Sequence, residues 1–135
     1  MPTENEVARI IVDCSYKIHK TLGPGLLESA YEECLFYELP RRGLSVEKEK
    51  ALPLIYEGVK LQIGYRVDFL VERRVIIEVK SIDAIADIHV AQVLTYLKLS
   101  GCKLGLLINF NVSLIKDGIR RIVLGLEERR MCGRS

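Results

Sequence analysis

The chain has 135 residues, 49% of them apolar, with 20 Lys and Arg against 18 Asp and Glu and a formal net charge of +2. That length suits one domain, with enough apolar residues for a core that needs no disulfide or structural metal. The near-neutral balance excludes a polycationic histone-like binder, an acidic disordered tail and a low-complexity chain, while nucleic acid stays open as a partner because placement of charge decides that.

The first residues, MPTENEV, carry acids where a signal peptide needs a basic start and an apolar stretch, and no aliphatic run is long enough to span a bilayer. Cys14, Cys34, Cys102 and Cys132 show neither CxxC spacing nor a zinc-like pairing with His19 or His89. A cytoplasmic chain with reduced, structural thiols and no membrane contact is expected.

Thr3 and Glu6 form a capping-box pattern, followed by Val7, Ile10, Ile11, Cys14, Ile18 and Leu22 at helical spacing. Gly23-Pro24-Gly25 stops this helix, and a second runs from about Leu26 to between Pro40 and Gly43. Strands are expected over 46–56, 59–63 after a Glu57-Gly58 turn, 65–71, and 75–80 after the turn Glu72-Arg73-Arg74. A helix over 87–100, with Ile88, Ala91, Leu94 and Leu97 inward, stops at Gly101, and strands follow at 104–109 and 119–124. The order α-α-β-β-β-β-α-β-β predicts an α/β (α+β) domain with a mixed sheet. A core over about 5–125 and a tail over 126–135 divide the chain.

Residues 66–80 carry the most chemical information. With the turn centred on Arg73, pairing places Asp68 opposite Glu78, Arg66 opposite Lys80 and Leu70 opposite Ile76. One face then holds Val67, Phe69, Val71, Val75, Ile77 and Val79, and the other holds the charged residues beside Leu70 and Ile76. Directly opposed Cβ atoms lie about 4.5–5.5 Å apart, so two carboxylates there repel unless positive charge sits beside them. A divalent cation with oxygen ligands meets that need, and Lys80 adds a further positive charge. An ordinary solvated face with Arg66–Asp68 or Glu78–Lys80 pairs is the plainer alternative.

Asp68 with Glu78-Val79-Lys80 resembles the signature of the PD-(D/E)XK nuclease superfamily, with Val67 where the superfamily name has proline. Gly25-Leu26-Leu27-Glu28-Ser29-Ala30-Tyr31 resembles the G-x-x-E-x-x-Y string of the GxxExxY protein family, a branch of that superfamily. Gln92 and Tyr96 resemble the Q-x-x-x-Y motif of its helicase-associated exonucleases. The resemblance implies a restriction-endonuclease-like core in which Asp68, Glu78 and the Val79 carbonyl bind Mg²⁺ or Mn²⁺. It implies a further acidic ligand in Glu28, a Lys80 that positions or deprotonates water, and bridging roles for Gln92 and Tyr96.

Tyr31 on its helical stripe reads as core, and His19 as a structural residue. His89 is a weaker candidate for lining the site. Arg41, Arg42, Lys48, Lys50, Arg66, Arg120, Arg121, Arg129 and Arg130 are candidates for tracking a phosphate backbone. The expected activity is hydrolysis of phosphodiesters, in DNA rather than RNA, by a chain that works as a homodimer or in a larger DNA-processing assembly. A nucleic-acid-binding module with weak or lost catalysis is the main rival. A retaining glycosidase pair is disfavoured because Lys80 opposes the protonated acid that chemistry requires.

Overall fold

A capping box starts α1 (Glu4–Leu22) in the computed structural model, which describes residues 2–127, the side chains of Gln62 and Ile63 excepted. Thr3 Oγ1 accepts from the Glu6 amide at 3.1 Å, and Glu6 Oε1 accepts from the Thr3 amide at 2.7 Å. After the Gly-Pro-Gly turn, α2 (Glu28–Arg41) returns along α1. The chain then forms β1 (Val46–Tyr56), β2 (Val59–Val71), β3 (Val75–Lys80), α3 (Asp87–Ser100), β4 (Leu104–Asn109), a 3-10 turn (Ile115–Gly118) and β5 (Ile119–Val123). The five strands lie in sequence order, antiparallel except for β3 and β4, which are parallel with α3 as their crossover.

Helices cover both faces of this mixed sheet. Val7, Ile11, Cys14 and Ile18 of α1 and Tyr31, Leu35 and Leu39 of α2 pack with Phe69, Val71, Val75, Ile77 and Val79. On the other face, Val93, Tyr96 and Leu97 of α3 pack with Leu52, Val67, Leu70, Ile76, Leu107 and Ile122. Coverage on both sides explains why β3 and β4 read as nearly continuous apolar runs, and why Glu78 is exceptional within β3. Cys14, Cys34 and Cys102 are free thiols. Among the described residues no helix is long and apolar enough to cross a membrane.

The mixed α+β class is borne out, with three corrections. The expected strands over 59–63 and 65–71 are one strand, β2, because Gly64 is not a turn. It pairs with Pro53, and a Cβ there would come within 3.1 Å of the Leu52 carbonyl, so glycine serves close backbone approach. Val67 packs under α3 rather than with Phe69 on the α1–α2 face. The pairing of β1 with β2 is interrupted at Glu49, between Lys48↔Phe69 and Lys50↔Val67, where Glu49 has φ 52°. The alternation of β2 changes phase beside that kink, as strand irregularities re-aim side chains.

The third correction concerns α3, which turns a different face inward: Ile88 is 71% exposed and Ala91 is exposed, while Val93, Tyr96 and Leu97 are buried. Gly105 on β4 sets this rotation. A Cβ at Gly105 would sit 2.7 Å from Val93 Cγ1, so the valine occupies the notch that glycine leaves. Gly105→Ala should destabilise the fold by about 1–3 kcal/mol through overpacking. In urea titrations the double variant Gly105→Ala/Val93→Ala should recover part of that loss, and additive losses would show that the notch does not set the helix.

Candidate active site

The β2–β3 turn is built on left-handed residues, Glu72 at φ 54° and Arg73 at φ 55°, closed by Arg74 N–H donating to the Val71 carbonyl at 2.9 Å. It sets the register Val71↔Val75, Leu70↔Ile76 and Phe69↔Ile77, which carries Asp68 and Glu78 to the next position. There side chains replace the backbone ladder. The Asp68 amide donates to Glu78 Oε2 at 2.7 Å, and the Val79 amide donates to Asp68 Oδ2 at 2.8 Å. Among the described residues Asp68 Oδ1 and Glu78 Oε1 accept no other hydrogen bond.

This arrangement is electrostatically costly. Burial, and then the negative charge of Asp68, pushes the Glu78 carboxyl up to about 8, although the Asp68 amide and Lys80 oppose the shift. Asp68 is also raised, chiefly by burial and further by the charges on Glu28 and Glu49, against the pull of the Val79 amide and Lys80. Lys80 is half-buried and enters no ion pair among the described residues.

The second helix brings more carboxylates to the same place. Tyr31, fully buried and stacked on Phe110 at 4.4 Å, donates its hydroxyl proton to the Gly23 carbonyl at 2.6 Å. The same hydroxyl accepts from the Leu26 amide at 3.2 Å, so it latches the loop that precedes α2. That loop is fastened to the residue after Lys80. Ser81 Oγ donates to the Leu26 carbonyl at 2.6 Å, and the Ser81 amide donates to Glu28 Oε2 at 3.3 Å. Buried Asn109 holds the next residue, donating to the Ile82 carbonyl at 3.0 Å and accepting from the Ile82 amide at 3.1 Å.

Glu28, Asp68, Glu78 and Lys80 therefore meet at one end of the sheet. Tyr96 joins them from α3: burial and then the charges on Glu78 and Asp68 push its hydroxyl up to about 12. Gln92 lies one turn earlier on α3 and is exposed. Val79 is buried and takes part here through its backbone. His19 Nε2 donates to the Val112 carbonyl at 2.8 Å, a structural tie, and His89 Nδ1 accepts the Ala86 amide at 2.8 Å at the start of α3.

The expected basic track is dispersed. Arg41 lies over the Tyr37 ring, and Arg42 pairs with Asp13 at 2.7 Å. Lys48 pairs with Glu33 and lies over Phe36, and Lys50 pairs with Glu47. Arg66 is exposed two residues before Asp68. Arg120 and Arg121 stand on the edge strand β5, where Arg121 bonds Asn5. Arg129 and Arg130 lie outside the described residues.

Two carboxylates escape sequence reasoning. Glu32 is pushed up to about 7 by burial and then by Asp68 and Glu28. Its spacing of four from Glu28 puts both on one helical face, a signal available in the sequence. Glu49 leaves no such signal, because its place beside Asp68 depends on the β1–β2 register.

Among the described residues no three His, Cys, Asp or Glu side chains are arranged to hold a metal ion. The donor chemistry nevertheless suits a hard cation such as Mg²⁺, which is commonly held by one or two carboxylates and completed by water and substrate phosphate. Two buried carboxylates, each with an oxygen to spare, supply that set.

Without metal, the folded state retains a proton on Glu78 that the unfolded chain, near 4.5, releases. Stability should therefore be highest at low pH with respect to this group and fall as pH rises between about 5 and 8. Glu32 acts in the same direction. Denaturant titrations of the metal-free chain across that range should show the decline, and Glu78→Gln should flatten it. An unchanged slope in that variant would show that Glu78 is not the group under strain.

A model of the PD-(D/E)XK nuclease superfamily matches residues 5–122. No curated protein sequence matches the chain. Among solved structures, the crystal structure of SSO0001 is similar at TM-score 0.54 and 20% identity, over 92% of this chain and 59% of that one. That likeness is one of fold, and the chain spans less than two-thirds of the other protein's length. The family match takes in both strands of the carboxylate hairpin and all three helices but for the first residue of α1, and on it the chain belongs to the PD-(D/E)XK nuclease superfamily.

Proposed function

We propose that the protein is a metal-dependent nuclease of the GxxExxY branch that hydrolyses phosphodiester bonds in DNA. The observation that carries this is the reciprocal bonding of Asp68 and Glu78 across β2 and β3, with Lys80 two positions further on the same strand. Asp68, Glu78 and the Val79 carbonyl would hold Mg²⁺ or Mn²⁺, with Glu28 acting directly or through water. A bound divalent cation supplies charge neutralisation at the phosphoryl oxygens and acidifies water.

The chain's own groups do the rest. Asp68 and Glu78 are oriented by backbone amides, so neither needs to reorganise when substrate arrives. Lys80 offers its charge to the scissile phosphate and positions the attacking water, and the Tyr96 hydroxyl bonds substrate or water beside it. The G-x-x-E-x-x-Y string has a physical role in this scheme: Tyr31 latches the loop, and the loop sets Glu28 against Ser81. Free thiols fit a cytoplasmic location. A second copy of the chain would widen the basic surface that one copy offers to DNA.

A second reading, a nucleic-acid-binding module without turnover, is favoured by the lack of a three-carboxylate cage among the described residues. Titration calorimetry separates the two, since a catalytic site should bind Mn²⁺ and lose it in Asp68→Asn. In cleavage assays with Mg²⁺ or Mn²⁺, Lys80→Ala and Asp68→Asn should each lower the rate on the order of 10²- to 10⁴-fold. Wild-type rates in both variants would refute the assigned site.

A further inference from the structure

The β1–β2 hairpin reaches well past the sheet that supports its base. Pairing of β2 with β3 covers Phe69–Val71, whereas β1 and β2 stay paired out to Tyr56 and Val59. Lys60 precedes Asp68 by eight positions, roughly 26 Å of extended strand. The hairpin is thus an arm leading away from the carboxylates. It carries a groove of about 510 Å³ lined by Ala51, Leu52, Pro53, Lys60, Leu61 and Gly64. That lining is apolar but for one cation, and no carboxylate contributes to it among the described residues.

The inner end of the groove meets an aromatic pair. Leu52 and Pro53 pair with Tyr65 and Gly64. Tyr65 is 36% exposed, and its ring lies 5.9 Å from that of Tyr96, tilted by 56°. Tyr96 is buried at 4% among Leu52, Val67, Leu70 and Val93, so it braces the exposed ring from behind. Tyr96 also feels the charges of Glu78 and Asp68, which places the pair beside the catalytic carboxylates. Arg66, the next residue of β2, is exposed.

A braced aromatic ring, an apolar groove and flanking cations are what a single nucleic-acid strand requires: a surface on which a base stacks, and charge for its phosphates. Bases inside a duplex already stack on their neighbours and offer no free face. We propose that Tyr65 and the β1–β2 groove form a binding subsite for an unpaired nucleobase. The strand delivered to Asp68, Glu78 and Lys80 is then single-stranded DNA or the frayed end of a duplex. This rests on the nuclease reading of the carboxylate site and adds the class of substrate.

The test uses fluorescence anisotropy in an Asp68→Asn background, which prevents turnover. The probes are a labelled single-stranded oligodeoxynucleotide and the blunt duplex it forms with its complement. Tyr65→Ala should weaken single-strand binding about tenfold or more, as expected for losing one stacked base, and leave duplex binding unchanged. Tyr65→Phe keeps the ring face and should bind as Tyr65 does. Tyr65→Leu keeps apolar contact with Tyr96 without a ring, and should lose single-strand binding as the alanine variant does. Lys60→Ala should reduce the salt dependence by about one phosphate contact. Undiminished single-strand binding by folded Tyr65→Leu, or a loss in Tyr65→Phe equal to that in alanine, would overturn the subsite. Failure of the nuclease reading would appear elsewhere, as absence of Mn²⁺-dependent cleavage by the unmodified protein.

Discussion

The structure turns on one exchange: Asp68 and Glu78 each accept a backbone amide from the strand opposite. Two strands that separate inside a protein leave amides without partners, and each unpaired buried group costs about 1–3 kcal/mol. Here the carboxylates take the place of the ladder just where it ends. The strands can therefore part without orphaning their amides, and each side chain keeps an oxygen for chemistry. The positive φ of Glu49 on the neighbouring strand belongs to the same distortion, since it interrupts pairing with β2 at that level. Backbone irregularity concentrates where the chemistry is, and the regular ladders on either side hold it in place.

Around this exchange the loops are tied down one by one. Tyr31 closes the Gly-Pro-Gly turn, Ser81 joins that turn to the end of β3, and Asn109 holds Ile82 from β4. These bonds link α2, β3 and β4 at the end of the sheet that carries Lys80. They give Glu28 a defined place although it comes from a distant part of the chain. Supporting contacts of this kind keep catalytic groups within the small tolerances that chemistry demands.

The hairpin was the most legible part of the sequence, because period-two alternation and a short turn leave a single register that buries the apolar side chains. The register of Leu70 with Ile76 follows from it directly. The capping box at Thr3 and the stop at Gly101 were legible for the same local reason. The inward face of α3 was not. Its apolar residues surround much of the helix, and the choice among faces was made by Gly105 on a strand later in the chain. Gly64 was misread as a break because a glycine needed for close approach looks, in sequence, like one needed for a turn. Within the site, Glu28, Asp68, Glu78 and Lys80 stood out by spacing, and Glu32 was within reach of the same helical argument. Glu49 and Tyr65 come to the site only through tertiary pairing.

The double duty of Asp68 and Glu78 bears on how such a domain changes over evolutionary time. Replacing either side chain with an apolar one strands an amide as well as removing a ligand, so folding alone selects for both carboxylates even in a descendant that no longer turns over substrate. Lys80 is under no such constraint, since it donates no hydrogen bond among the described residues. Across diverging copies of this domain, the lysine is the residue whose retention reports on catalysis, and the acidic pair reports on the integrity of the sheet.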